Sequence, residues 1–159
     1  MAHVDHGKTT MSDSLISSNN IINKKLAGRL RYLDSRADEQ QRMITMKASS
    51  ISILYGHKVM VKTGGKDENG KIIRKEEEQQ HLINLIDSPG HVDFSNEVSS
   101  ALRLSDGGLV LVDVNEGMSA QTHTVITQAW AEKIKMCLVL NKIDKLIIER
   151  EMTGQEIYQ

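Results

Sequence analysis

The chain has 159 residues, with 20 Lys and Arg against 21 Asp and Glu, 39% hydrophobic residues and a single cysteine, Cys137. A domain of this size buries roughly two thirds of the surface its unfolded chain exposes, enough for a core without staples, and one thiol excludes an internal disulfide, which favours a reducing, intracellular compartment. A net charge of −1 exerts no global pull on nucleic acid, and the longest apolar stretches, around 109–114 and 137–140, fall far short of the roughly 20 residues of a bilayer span.

No apolar targeting core opens the chain, which is polar and charged from His3 onward. Residues 9–18 place Met11, Leu15 and Ile16 at helical spacing just after Gly7, so a glycine turn is expected to open into a helix. From about 21 to 46 the pattern decays into an Arg-rich stretch (Arg29, Arg31, Arg36, Arg42), which reads as a long mobile loop with one helical turn. Two strands follow, 48–62 and 81–87, the first alternating at Ser50-Ile51-Ser52-Ile53 and the second ending in a carboxylate. Between them, residues 63–80 carry Gly64, Gly65, Asn69 and Gly70 ahead of Glu76, Glu77 and Glu78. That composition buries no area and reads as an exposed hairpin tip, a solvated insertion.

A helix is then expected at 96–104, a strand at 108–114, a helix at 120–132, a strand at 135–141 and a last helix to the end. Apolar strands alternating with amphipathic helices imply parallel crossovers. The fold class is therefore α/β, a three-layer and mostly parallel sheet in one domain, with ligands at the carboxyl ends of the strands.

Four segments carry chemistry. Residues 2–9, AHVDHGKT, fit the phosphate-binding pattern G-x-x-x-x-G-K-[ST] except that Ala2 replaces the first glycine. Backbone N–H groups along Asp5, His6, Gly7, Lys8, Thr9 and Thr10 would converge on an anion at a helix N-terminus, with Lys8 on the β and γ phosphates and the Thr9 hydroxyl on Mg²⁺. Asp87-Ser88-Pro89-Gly90-His91, at the end of a strand, offers a carboxylate for Mg²⁺ through water, a Gly90 N–H for a terminal phosphate and an imidazole, His91, to orient water. Alone it would be a proline turn leaving a strand, and its place downstream of the phosphate loop is what raises it.

Asn141-Lys142-Ile143-Asp144 supplies a base selector. A carboxylate at Asp144 accepts from guanine's N1–H and exocyclic amine together, which adenine does not offer; on its own the segment is equally a charged helix start. The Thr45 hydroxyl of Arg42-Met43-Ile44-Thr45 would complete the Mg²⁺ shell when the terminal phosphate is present, although by spacing it is only a Thr entering a strand. A GTP-hydrolysing enzyme is the first reading. A nucleotide- or partner-binding module without turnover and an ATP-using P-loop protein are the competitors, the last opposed by Asp144. No arginine finger is identifiable in cis, so an external activator is expected.

AHVDHGKTT, DEQ-x-R-x-IT, LINLIDSPGHVDFS and NKID at these spacings resemble the GTP-binding domain of translational GTPases of the elongation factor 2 group, over essentially the whole chain. Segments 26–36, 44–50 and 141–149 are more similar to the elongation factor-like branch that matures the large (60S) ribosomal subunit than to the translocases. The resemblance implies a P-loop GTPase sheet binding GTP or GDP with Mg²⁺. It assigns phosphate to Lys8 and Thr9, the metal to Thr9, Thr45 and Asp87, and the alignment of water to His91 behind an apolar gate of Val4 and Ile44. It also implies weak hydrolysis until the ribosome orders the site. The implied setting is cytoplasmic and monomeric, without membrane or sequence-specific DNA, acting on the 60S subunit with an SBDS-type factor to release an anti-association factor.

Three departures stand out. Met43 replaces the family's usual small residue, which is expected to stiffen the loop or shift Thr45, and the 63–80 insertion is long. The chain starts within the phosphate loop and stops before the Ser-Ala loop that supports guanine. The sheet is therefore expected to lack its first strand, and GTP affinity to be well below that of a complete domain.

Overall fold

The computed structural model describes residues 1–66 and 72–158, so the apex of the expected hairpin tip lies outside the described residues. The chain divides into two compact units, residues 1–50 with 86–159, and residues 51–85.

The smaller unit is a two-stranded ribbon of β1 (Ser49–Lys66) and β2 (Ile72–Asp87). Both strands run further than their composition suggests, since residues 63–66 and 72–80 are strand and not tip. Each strand of a two-stranded ribbon pairs its inward backbone groups and leaves the outward ones to water, so glutamates and lysines are tolerated along it. Its side chains pair across the ribbon: Ser52 Oγ donates to Asn84 Oδ1 at 2.7 Å, Lys58 meets Glu76 at 3.4 Å, and His57 stacks on His81 at 5.1 Å while also stacking on Tyr55 of its own strand at 5.7 Å.

The larger unit holds the parallel sheet. β3 (Gly107–Asp113) pairs with β4 (Lys135–Asn141) in a register running from Gly107 opposite Lys135 to Asp113 opposite Asn141. Ala2 forms a parallel bridge to Leu111 on the other side of β3, and the Leu111 N–H donates to Met1 O at 2.9 Å. Val110, Leu111 and Val112 are therefore buried on both faces, as in an inner strand, whereas Leu138 and Leu140 of β4 are exposed. The α/β class and the parallel pairing are as expected; the sheet is smaller, with β1 and β2 in a sheet of their own.

α3 (Ser95–Arg103) packs on α4 (Ala120–Ala131), which covers β3 and β4; Val98, Leu102, Ala129 and Ile134 form this core, with Met1, Val125 and Met136 against it. Ser119 caps α4 by accepting the Thr122 N–H at 3.2 Å. α1 (Lys8–Ser18) follows the glycine turn. Segment 21–46 contains α2 (Ala37–Arg42), started by Glu39, which takes the Arg36 N–H at 3.2 Å, and stopped at Met43. The expected final helix is two helices, α5 (Ile143–Arg150) and α6 (Gly154–Tyr158), because Glu151 adopts a left-handed φ of 52° and Glu156 takes the Thr153 N–H at 2.8 Å to begin a new turn. Among the described residues no helix is long and apolar enough to cross a membrane.

Candidate nucleotide site

Gly7 precedes α1 at φ 90°, a left-handed conformation that favours glycine. A Cβ there would also run into Asn141 Nδ2, which donates to His6 O at 2.8 Å. The end of β4 is thus bonded to the loop that opens α1. His6 is buried behind it: the Asp113 N–H donates to its Nδ1 at 3.3 Å, so Nε2 carries the proton toward Glu116 Oε2 at 3.1 Å. The missing first glycine is explained by Ala2 itself, which is an extended strand residue bridged to Leu111 and needs no special φ. Gly90 faces the same loop, and a side chain there would meet Ala2 O at 3.0 Å and the backbone of His3 and Val4.

A small, open cleft lies beside this loop. It is lined by Val4, Asp5, Gly7, Lys8, Thr9 and Thr10, by Met43, Ile44 and Thr45, and by His3, Arg31 and Gly90. Lys8 Nζ lies 3.0 Å from Asp87 Oδ1. Asp87 is 2% exposed, and neither of its carboxylate oxygens accepts a well-directed hydrogen bond among the described residues. The Thr9 and Thr45 hydroxyls lie 3.2 Å apart, both buried. This donor set is all hard oxygen, and no cluster of three or more His, Cys, Asp or Glu fit to hold a metal occurs among the described residues. Such a set suits Mg²⁺, which takes one or two protein oxygens and shares the rest of its shell with phosphate and water.

Segment 21–46 is not left loose. Asp13 of α1, fully buried, accepts the N–H groups of Arg31 and Tyr32 at 2.9 Å and of Gly28 at 3.2 Å. Glu39 takes those of Met46 and Lys47, both at 2.9 Å. Asp34, fully buried, accepts the Thr45 hydroxyl at 2.8 Å. The motifs assign no role to any of these three acids, although Glu39 lies within DEQ-x-R-x-IT. Glu39 had one detectable signal, an acid three residues into a short helix; Asp13 and Asp34 had none.

Met43 sits at φ 54° and is 70% exposed at the cleft wall. The left-handed backbone of Met43 costs about 1–2 kcal/mol for a non-glycine residue, and Thr45, two residues on, lies 3.2 Å from Thr9.

At the carboxyl ends of β3 and β4, Lys142, at φ 63°, places Nζ 2.7 Å from Asp113 Oδ2. Burial acts to raise the Asp113 carboxyl, but hydrogen bonds from Lys142 and the Asn115 N–H outweigh it and hold it below its ordinary value. Asp144, in the first turn of α5, is exposed, and its carboxylate has no partner among the described residues. Asn141, Lys142 and Asp144 do not line the phosphate cleft; Asn141 reaches its loop through His6.

His91 does not line it either. Its Nδ1 accepts the Asp93 N–H at 3.3 Å and its ring meets Phe94 edge-on at 6.2 Å, which holds it in a neighbouring cavity with Pro89, Gln121 and Gln128. Gly90 lines both cavities.

A phosphate-type loop opening a helix, a buried acid at one strand end and Asn-Lys-x-Asp at another define a P-loop nucleotide-binding class. Residues 1–159 match the family described as elongation factor Tu GTP binding domain, and the chain belongs to that family. It is 56% identical over 158 residues to ribosome assembly protein 1 of Saccharomyces cerevisiae, covering 99% of this chain and 13% of that protein. It is 54% identical over 158 residues to elongation factor-like GTPase 1 of Homo sapiens, covering 99% of this chain and 12% of that protein. The chain thus spans about an eighth of the length of these relatives. A crystal structure of a protein from Thermus thermophilus superposes with a TM-score of 0.66 at 23% identity, covering 91% of this chain and 19% of that one, and shows the same fold.

Proposed function

We propose that the chain binds GTP with Mg²⁺ and hydrolyses it as the switch domain of a ribosome-assembly GTPase. The observation that carries this is that Lys8, Thr9 and Thr45 line one cleft, with the buried Asp87 paired to Lys8 and the cleft's loop bonded to Asn141. The loop N–H groups and Lys8 hold the phosphates, Thr9, Thr45 and Asp87 hold the metal, and Asp144 reads guanine. A metal held by these residues would supply positive charge against that of the phosphates. Val4 and Ile44 exclude bulk water from the cleft. His91 orients the attacking water once the Gly90 turn swings it from the adjoining cavity, a movement assigned to contact with the large ribosomal subunit. A cytoplasmic setting and cooperation with an SBDS-type factor in 60S maturation complete the proposal.

A binding module without turnover is the second reading, favoured by the position of His91 outside the cleft. Single-turnover hydrolysis with and without large ribosomal subunits separates the two. Stimulation is expected for the wild type, and His91→Ala is expected to reduce the stimulated rate about a hundredfold or more while GTP affinity stays within about twofold. No stimulation in the wild type leaves the binding module; an undiminished rate in the variant removes His91 from the chemistry.

A further inference from the structure

Arg31 has no role in any of the four segments that carry chemistry, yet it lines the same cleft as Lys8. Its backbone is held at φ 48° by the bond from its N–H to Asp13 Oδ2 at 2.9 Å. A left-handed arginine is unfavourable unless its surroundings enforce it, and such strain concentrates where ligands bind. The side chain is 23% exposed, and its Nε donates to Asp34 Oδ2 at 2.5 Å. Neither Nη atom has an acceptor among the described residues. A guanidinium offers five donors in a rigid fork, so a partly buried one that uses a single donor has four to give. Asp34 uses its other oxygen to accept the Thr45 hydroxyl, which lies beside Thr9. One buried carboxylate therefore fixes both the hydroxyl assigned to the metal and the fork beside it.

We infer that Arg31 is a phosphate-contacting arginine carried in cis on this segment, aimed by Asp34 at the outermost phosphate of a nucleoside triphosphate. The proposal rests on the nucleotide-binding reading above. The fork matches a phosphate's paired oxygens better than any lysine would. Because Asp34 couples Arg31 to Thr45, both reach the phosphate nearest the covering segment, and a diphosphate leaves Arg31 without its ligand. Arg31 thus acts as a selector of the triphosphate.

The test is titration of the 159-residue chain, with Mg²⁺, by a non-hydrolysable GTP analogue and by GDP. Arg31→Ala is expected to weaken the triphosphate about tenfold or more, in line with loss of a charge-assisted hydrogen bond, and to leave GDP within twofold. Arg31→Lys retains the charge and serves if the alanine variant fails to fold; it should show a smaller loss, still confined to the triphosphate. Equal losses for both ligands would mean that the Arg31–Asp34 pair only supports the fold, and would overturn the inference, as would no loss at all. A wild-type chain that binds neither nucleotide would overturn the proposed function and this inference together; wild-type binding with an unchanged ratio in the variants overturns the inference alone.

Discussion

Replacing Lys8 with Met is expected to destabilise the domain by about 3 kcal/mol and to reduce GTP affinity about a hundredfold or more. The two losses have different causes. Lys8 and Asp87 are buried together at 3.0 Å, and removing one partner of a buried pair leaves an uncompensated charge, which costs about 3–5 kcal/mol. The affinity loss comes from the ammonium that faces the cleft. A double variant separates them: Lys8→Met with Asp87→Asn should recover most of the stability, because no charge remains buried, and recover none of the binding. Urea denaturation and nucleotide titration on the same three proteins check this. A Lys8→Met protein as stable as the wild type would show that the pair is screened by water.

Gly7→Ala is expected to be nearly as damaging through backbone and packing alone. At φ 90° an added Cβ costs about 1–2 kcal/mol, and its collision with Asn141 Nδ2 breaks the bond to His6 O, about 1 kcal/mol more. Losing that bond frees the loop from β4, so GTP affinity should fall about tenfold to a hundredfold. Ala2→Gly supplies the contrast. It restores the glycine of the general phosphate-loop pattern at a site that is extended and bridged to Leu111, and it should gain no affinity and lose up to about 1 kcal/mol of stability. Thermal denaturation of the two variants, with and without nucleotide, reads both outcomes.

The legible parts of this molecule are those in which local pattern and tertiary placement coincide. The glycine turn into α1, the apolar runs of β3 and β4 and the Asn-Lys-x-Asp at a strand end each announce themselves, and Asp113 opposite Asn141 shows why they meet. Asp13 and Asp34 were illegible because the backbone N–H groups and the Thr45 hydroxyl they accept are brought close only by folding, and no spacing rule marks an acid that will be fully buried; Arg31 has a local partner in Asp34, three residues on, but no spacing places it at the cleft. Residues 72–80 misled for another reason: composition reports whether a strand can bury a face, and β2 has no need to. His91 stands out in the sequence, but the structure holds it in the adjoining cavity, where its ring accepts the N–H of Asp93 two residues on, an arrangement no motif encodes.

The loop at Lys8, the acid at Asp87 and the pair Asn141 and Asp144 are proposed to serve one guanine nucleotide. Competition titration tests it most directly: a fluorescent GTP analogue bound to the chain with Mg²⁺ is challenged with GTP or ATP. Displacement by GTP is expected, with displacement by ATP at least a thousandfold weaker, since a site built around guanine's donors leaves its acceptors unpaired on adenine. Equal displacement by the two nucleotides would contradict it.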